Sequence, residues 1–156
     1  MAINFSWTMT KAITFLLVDD DEDDSMLFEE VLQECDPEIH FMAASNGKEA
    51  LDMLTSEGID LPDLIFLDLN MPRMDGKECL SKMKQHAALA QIPVIIYTTS
   101  FHLKDIEETR KLGAIGFITK PSDIQDLQMI LGIIVEHFPQ NLKLALRALS
   151  QIPTHL

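Results

Sequence analysis

The sequence has no apolar run long enough to cross a membrane. Its late hydrophobic stretch, MILGIIV at 129–135, falls well short of the roughly 20 residues that a spanning helix needs. Cysteine is scarce: Cys35 and Cys79 stand apart with no CxxC spacing, so free thiols are expected in place of a disulfide or a zinc site. Basic residues are few as well. Against 25 Asp and Glu there are 12 Lys and Arg, for a net charge of -13, and the sequence pI is near 4.6. Nucleic-acid affinity rests on Lys and Arg neutralising phosphates, so this balance excludes a phosphate backbone as ligand and points to cations or basic partners. No glycine-rich loop follows the first apolar run, which argues against a nucleotide or flavin site, because acids in that place repel a phosphate unless a metal intervenes. AITFLLV runs directly into DDDEDD without a small-residue cleavage site, unlike a signal peptide. A cytoplasmic protein without a membrane segment is the expectation.

What is present is a rhythm. Five β-rich runs recur, FLLV at 15–18, IHFMAA at 39–44, LIFLD at 64–68, PVIIYT at 93–98 and AIGFIT at 114–119, each followed by helical spacing, at about 24–35, 46–57, 75–86, 103–112 and 122–138. Asn46 and Ser122 read as helix starts, Gly58 and Gly113 as helix stops. Runs apolar on both faces, such as LIFL, fit a parallel sheet covered by helices on either side. The fold class is α/β, a flavodoxin-like doubly wound sheet with strand order 2-1-3-4-5. Within 156 residues one domain is expected: an N-terminal extension at 1–13, the domain at 14–138, and a tail at 139–156 forming a short amphipathic helix.

Parallel strands end on one edge, and ligands bind there where the strand order reverses. That edge receives Asp19 and Asp20 after the first run, Asp68 at the end of the third, Thr98 at the end of the fourth and Lys120 after the fifth. Clustered carboxylates raise one another's pKa unless a cation neutralises them, and an oxygen-only site with room for water and phosphate suits Mg2+. One carboxylate, Asp68, can then attack phosphorus, with Lys120 and Thr98 on the phosphoryl oxygens. Asp21 to Asp24 read as a solvated acidic helix start. Asp19, Asp21, Asp23 and Glu30 match positions of a calcium-binding EF-hand loop, but Asp24 stands where that loop requires Gly.

VDD at 18–20, DLNMP at 68–72, MDG at 74–76, PVIIYT at 93–98 and GFITKP at 116–121 together resemble the response-regulator receiver domain over residues 14–138. The resemblance implies that Asp68 accepts a phosphoryl group from a histidine kinase or a phosphotransfer protein. Asp20, Asp68 and the Asn70 backbone carbonyl would hold Mg2+ directly, and Asp19 through water. It further implies that Lys120 contacts the phosphate, that Thr98 moves to it, and that the Lys120-Pro121 peptide is cis. Phe117 takes the aromatic switch position without the hydroxyl of the Tyr often found there, while Asn70, Thr99 and Ser100 take the positions that tune dephosphorylation. Such a protein is a signalling switch that catalyses only its own phosphorylation and dephosphorylation.

About 18 residues follow the fifth helix, too few for a DNA-binding output module, so a stand-alone receiver acting through protein partners is expected. Leu142, Leu146 and Leu149 fall at helical spacing, a stripe for packing on the domain or for docking. Met129 and Ile133 lie opposite the core stripe of the fifth helix. The resemblance links such a face to a homodimer through the fourth helix, fifth strand and fifth helix. The acidic opening and long C-terminal end also resemble receivers partnered with phytochrome-type sensor kinases. A receiver-like module that binds partners without being phosphorylated is the alternative reading.

Overall fold

In the computed structural model, which describes residues 12–150, five strands alternate with helices and a sixth helix closes the described chain. The strands are β1 (Thr14–Val18), β2 (His40–Ala44), β3 (Leu64–Leu67), β4 (Val94–Thr98) and β5 (Gly116–Thr119). All pairings are parallel, in the order β2-β1-β3-β4-β5. The helices are α1 (Glu22–Cys35), α2 (Gly47–Leu54), α3 (Gly76–Gln85), α4 (Leu103–Lys111), α5 (Ile124–His137) and α6 (Leu142–Ser150). None of these helices is long and apolar enough to cross a membrane. Cys35 and Cys79 are free thiols, and burial pushes the Cys79 thiol up to about 12.

The side-chain alternation of a strand sorts the interior into two cores. Phe15, Leu17, Leu64, Phe66, Ile95 and Tyr97 face α1, α5 and α6, where they meet Phe28, Leu131 and Leu142. Leu16, Val18, Ile65, Leu67, Val94 and Ile96 face the other way, among Ala50, Leu54, Leu80 and Met83 of α2 and α3. Phe28 anchors α1 to the sheet, with its ring 4.9 Å from that of Phe66 and 5.5 Å from that of Tyr97. Edge-to-face contacts of this kind add to the area they bury.

Helix starts follow acceptor chemistry: Asp21, Asn46, Asp75 and Asp123 each accept a hydrogen bond from the backbone N–H three residues on. The cap of α5 is therefore Asp123, where the sequence suggests Ser122. Both residue types cap, and the helix simply begins one residue later. At the C-terminal end, Leu142 and Ala145 of α6 are buried, and Leu146 and Leu149 pack against the α1/α5 core. Leu146 sits so close to Gly116 of β5 that a Cβ there would lie 2.8 Å from its Cδ2.

The loop after β3 contains a tight three-residue turn, in which Met74 N donates to Pro72 O at 2.7 Å and the central residue, Arg73, has φ +68°. A γ-turn of this hand is strained for a residue with a Cβ. Arg73→Gly is therefore expected to raise stability by about 0.5–1 kcal/mol, read as an increase in the urea midpoint. An unchanged or lower midpoint would show that the turn is not strained in solution.

Candidate phosphoryl-transfer site

Four strand ends converge on one edge of the sheet because the ladder holds them in register. Asp68 N donates to Val18 O at 2.9 Å, Asp19 N to Ala44 O at 3.0 Å, and Lys120 N to Thr98 O at 2.8 Å. These backbone bonds bring Asp19, Asp20, Asp68, Thr98 and Lys120 together, as the sequence expects. Asp19 and Asp68 are buried, with 2% and 5% of their surfaces exposed, while Asp20 faces solvent. Each of the three acids offers an oxygen, and these oxygens lie within 4.8 Å of one another.

Lys120 neutralises this group. Its Nζ lies 2.7 Å from Asp19 Oδ2, 2.9 Å from Asp24 Oδ2 and 3.3 Å from Asp68 Oδ2. Burial alone would lower its pKa, but the hydrogen bonds to Asp19 and Asp24 and the charge of Asp68 hold it above the usual range. Burial pushes the Asp19 carboxyl up to about 6, against the opposing pull of Lys120. Thr98 Oγ1 is buried with no hydrogen-bond partner among the described residues. A buried polar atom without a partner is costly, so this hydroxyl is free to take up an additional acceptor.

Oxygen-only donors, a shared negative charge and an unpaired hydroxyl at the same edge fit a divalent cation together with an oxyanion. The Asp19 carboxyl makes a pH effect visible. Its folded pKa of about 6 exceeds the ordinary 3.8, so the folded state binds the proton more tightly between those values, and stability falls as pH rises through that window. Without divalent cation, the melting temperature should rise as pH falls from 7 towards 5, and this component should vanish in Asp19→Asn. An identical pH profile in the variant would remove Asp19 as its source. A divalent cation favours the ionised form and should stabilise the fold most above this window.

The remaining expected residues are spread around this centre. Asn70 N donates to Asp68 Oδ1 at 3.3 Å, and its side-chain amide donates to Ser100 Oγ at 3.4 Å. Thr99 is exposed. Phe117 is partly buried against the α2/α3 core, on the opposite side of the sheet from Ile118. Met129 is 37% exposed and Ile133 is half-buried on α5, both away from the acids in sequence and element. The expected cis bond at Lys120-Pro121 is not found: among the described residues the cis peptide is Phe138-Pro139. With a trans bond Lys120 keeps its backbone contact to Thr98 and still reaches the carboxylates, so the geometry does not require the cis form.

Sequence reasoning misses Asp24. It reads there as part of a solvated helix start, yet it is one of the two closest partners of Lys120. No local signal marks it, because acids are common in the first turn of a helix and its partner Lys120 is 96 residues away in sequence.

Gly76 is required by close approach. A Cβ at this position would lie 2.2 Å from Asp68 O and 2.8 Å from Leu69 Cα, and its own N donates to Leu69 O at 3.0 Å. The MDG turn thus presses α3 against the backbone that carries Asp68.

Residues 15–131 match the family model of the response regulator receiver domain. The chain is 36% identical over 123 residues to the response regulator Rcp1 of Synechocystis, covering 76% of this chain and 84% of that one. It is 38% identical over 113 residues to sporulation initiation phosphotransferase F of Bacillus subtilis, covering 72% and 86% respectively. Among solved structures, the phosphorylated cyanobacterial phytochrome response regulator RcpA superposes with a TM-score of 0.77 at 31% identity, over 83% of this chain and 96% of that one. The Mn2+-bound form of Rcp1 gives 0.72 at 34% identity, over 81% and 93%.

Proposed function

This chain belongs to the response-regulator receiver family, and we propose that Asp68 is its phosphoacceptor, taking a phosphoryl group from a histidine kinase or a phosphotransfer protein in a Mg2+-dependent reaction. The observation that carries this reading is the buried ammonium 3.3 Å from Asp68 beside two further acids, with an unpaired buried hydroxyl on the same edge of the sheet. A relative described as phosphorylated and another with Mn2+ bound lend it support.

In this reading an Asp68 carboxylate oxygen forms the bond to phosphorus as the bond from phosphorus to the donor's imidazole nitrogen breaks. The electron pair of that bond leaves with the nitrogen, and Asp68 becomes an acyl phosphate. Asp20, Asp68 and the Asn70 carbonyl would hold Mg2+, with Asp19 acting through water; the cation supplies charge neutralisation on the phosphoryl oxygens. Lys120 orients toward the same oxygens, and Thr98 donates its hydroxyl to one of them. Asn70, Thr99 and Ser100 would tune the hydrolysis rate, and Phe117 would serve as the aromatic switch. The product is a signal and not a metabolite, read out by a protein partner. Self-association would use α4, β5 and α5, where Met129 and Ile133 offer apolar surface.

The experiment is intact-mass spectrometry after incubation with acetyl phosphate, with and without Mg2+, followed by gel filtration. A mass gain of one phosphoryl group that depends on Mg2+ supports the switch. The absence of any gain would leave a receiver-like binding module that works without phosphorylation.

A further inference from the structure

Asp24 is a carboxylate that the transfer reaction does not use. It lies in the first turn of α1 and outside the group of Asp19, Asp20 and Asp68. Its Oδ2 is nonetheless 2.9 Å from Lys120 Nζ, nearer than the 3.3 Å to Asp68 Oδ2. The Lys120 side chain is 7% exposed and that of Asp24 is 39% exposed, so the ammonium is enclosed and Asp24 reaches it from the rim. Backbone bonds fix the arrangement. Asp21 N donates to Asp19 Oδ1 at 2.9 Å, and Asp24 N donates to Asp21 Oδ1 at 3.0 Å. Asp19, Asp21, Asp24 and Lys120 thereby form a closed ring of contacts that returns to Asp19 through the 2.7 Å ion pair.

We propose that Asp24 is a positioning residue that holds the Lys120 ammonium in the unphosphorylated protein and competes for it with the arriving phosphoryl group. This rests on the assignment of Asp68 as acceptor. An ammonium has three N–H donors; here it donates to Asp24 and Asp68 and pairs with Asp19 at 2.7 Å. Asp19 and Asp68 belong to the acid cluster, so a divalent cation there draws on their charge and weakens their hold on Lys120. Asp24 lies outside the cluster and keeps its attraction. For Lys120 to contact a phosphoryl group on Asp68 it must give up Asp24 in whole or in part. Asp24 therefore biases the protein towards the unphosphorylated state without touching the reacting atoms. A half-exposed ion pair is worth little in isolation, so the bias is small enough for a phosphoryl group, with several charged oxygens, to overcome.

The test is the affinity for beryllofluoride, a phosphoryl mimic, at saturating Mg2+, followed by fluorine NMR. Asp24→Asn is expected to bind it up to about fivefold more tightly than wild type. Asp23→Asn removes the same charge from an exposed neighbour and should change the affinity by less than about twofold. Asp24→Glu, which keeps a carboxylate within reach, should return the affinity to near wild type. In a Lys120→Ala background the effect of Asp24→Asn should disappear. Unchanged or weaker binding in Asp24→Asn overturns the proposal. So does an equal gain in Asp23→Asn, which would make the effect one of net charge, or a gain that survives without Lys120. Wild type that binds no beryllofluoride overturns the acceptor assignment and this proposal with it, whereas wild-type binding with no gain in Asp24→Asn overturns this proposal alone.

Discussion

Asp68→Asn should abolish Mg2+-dependent phosphoryl incorporation from acetyl phosphate altogether while leaving the fold intact. The amide has nearly the shape of the carboxylate but lacks the charged oxygen that attacks phosphorus. No other acid on the edge replaces it: Asp19 is directed to Lys120 and to the backbone N–H of Asp21, and Asp20 lies out in solvent. Folding should persist because Lys120 retains Asp19 and Asp24, and because one fewer carboxylate relieves repulsion at the cluster. The phosphoryl group in wild type should be labile to base and to neutral hydroxylamine, as an acyl phosphate is. Incorporation with the same lability in Asp68→Asn would move the acceptor elsewhere.

The second large effect concerns a residue with no functional group. Gly76→Ala should destabilise the protein by about 1–3 kcal/mol, the usual range for forcing extra volume into a packed interior, and should lower phosphorylation well beyond what the lost stability explains. The reason is that the new methyl meets backbone: Asp68 O at 2.2 Å and Leu69 Cα at 2.8 Å. Backbone cannot turn aside as a flexible side chain does, so either α3 retreats or the Asp68 loop shifts. A displacement of about 1 Å at a reacting group is enough to cost orders of magnitude in rate. The check is a urea melt paired with the initial rate of phosphorylation at a temperature where the variant is folded. Equal rates in the folded variant would show that the loop absorbs the clash without moving Asp68.

Most of the scaffold is legible because its signals are local and repeated. LIFL and VIIYT have too many consecutive apolar residues for a half-exposed strand, and only a sheet covered on both sides accommodates them. Once the strands are parallel, the positions of Asp19, Asp68, Thr98 and Lys120 follow from counting to the strand ends. What the sequence does not reveal depends on distances across the fold. Acids are common in the first turn of any helix, so nothing local separates Asp24, which faces Lys120, from Asp23, which faces solvent. The start of α5 is ambiguous by one residue because Ser122 and Asp123 both suit a cap. The turn at Arg73 carries no glycine to mark its positive φ.

The two cores impose a grammar on the chain. Ile65 and Phe66 are adjacent in sequence yet occupy opposite sides of the sheet, whereas Phe28 and Tyr97 are distant in sequence and have ring centroids 5.5 Å apart. Each strand thus carries two interleaved messages, one for each side. An inserted residue within β3 would exchange them from that point onward, sending aromatic side chains into the space shaped for Ile65 and Leu67. The same insertion at Gly58, where beyond the adjoining residues no described atom lies within 4 Å of the position a methyl would take, would leave both messages in frame, so tolerance to length change should vary along this chain with the phase of the strand rather than with distance from the acids.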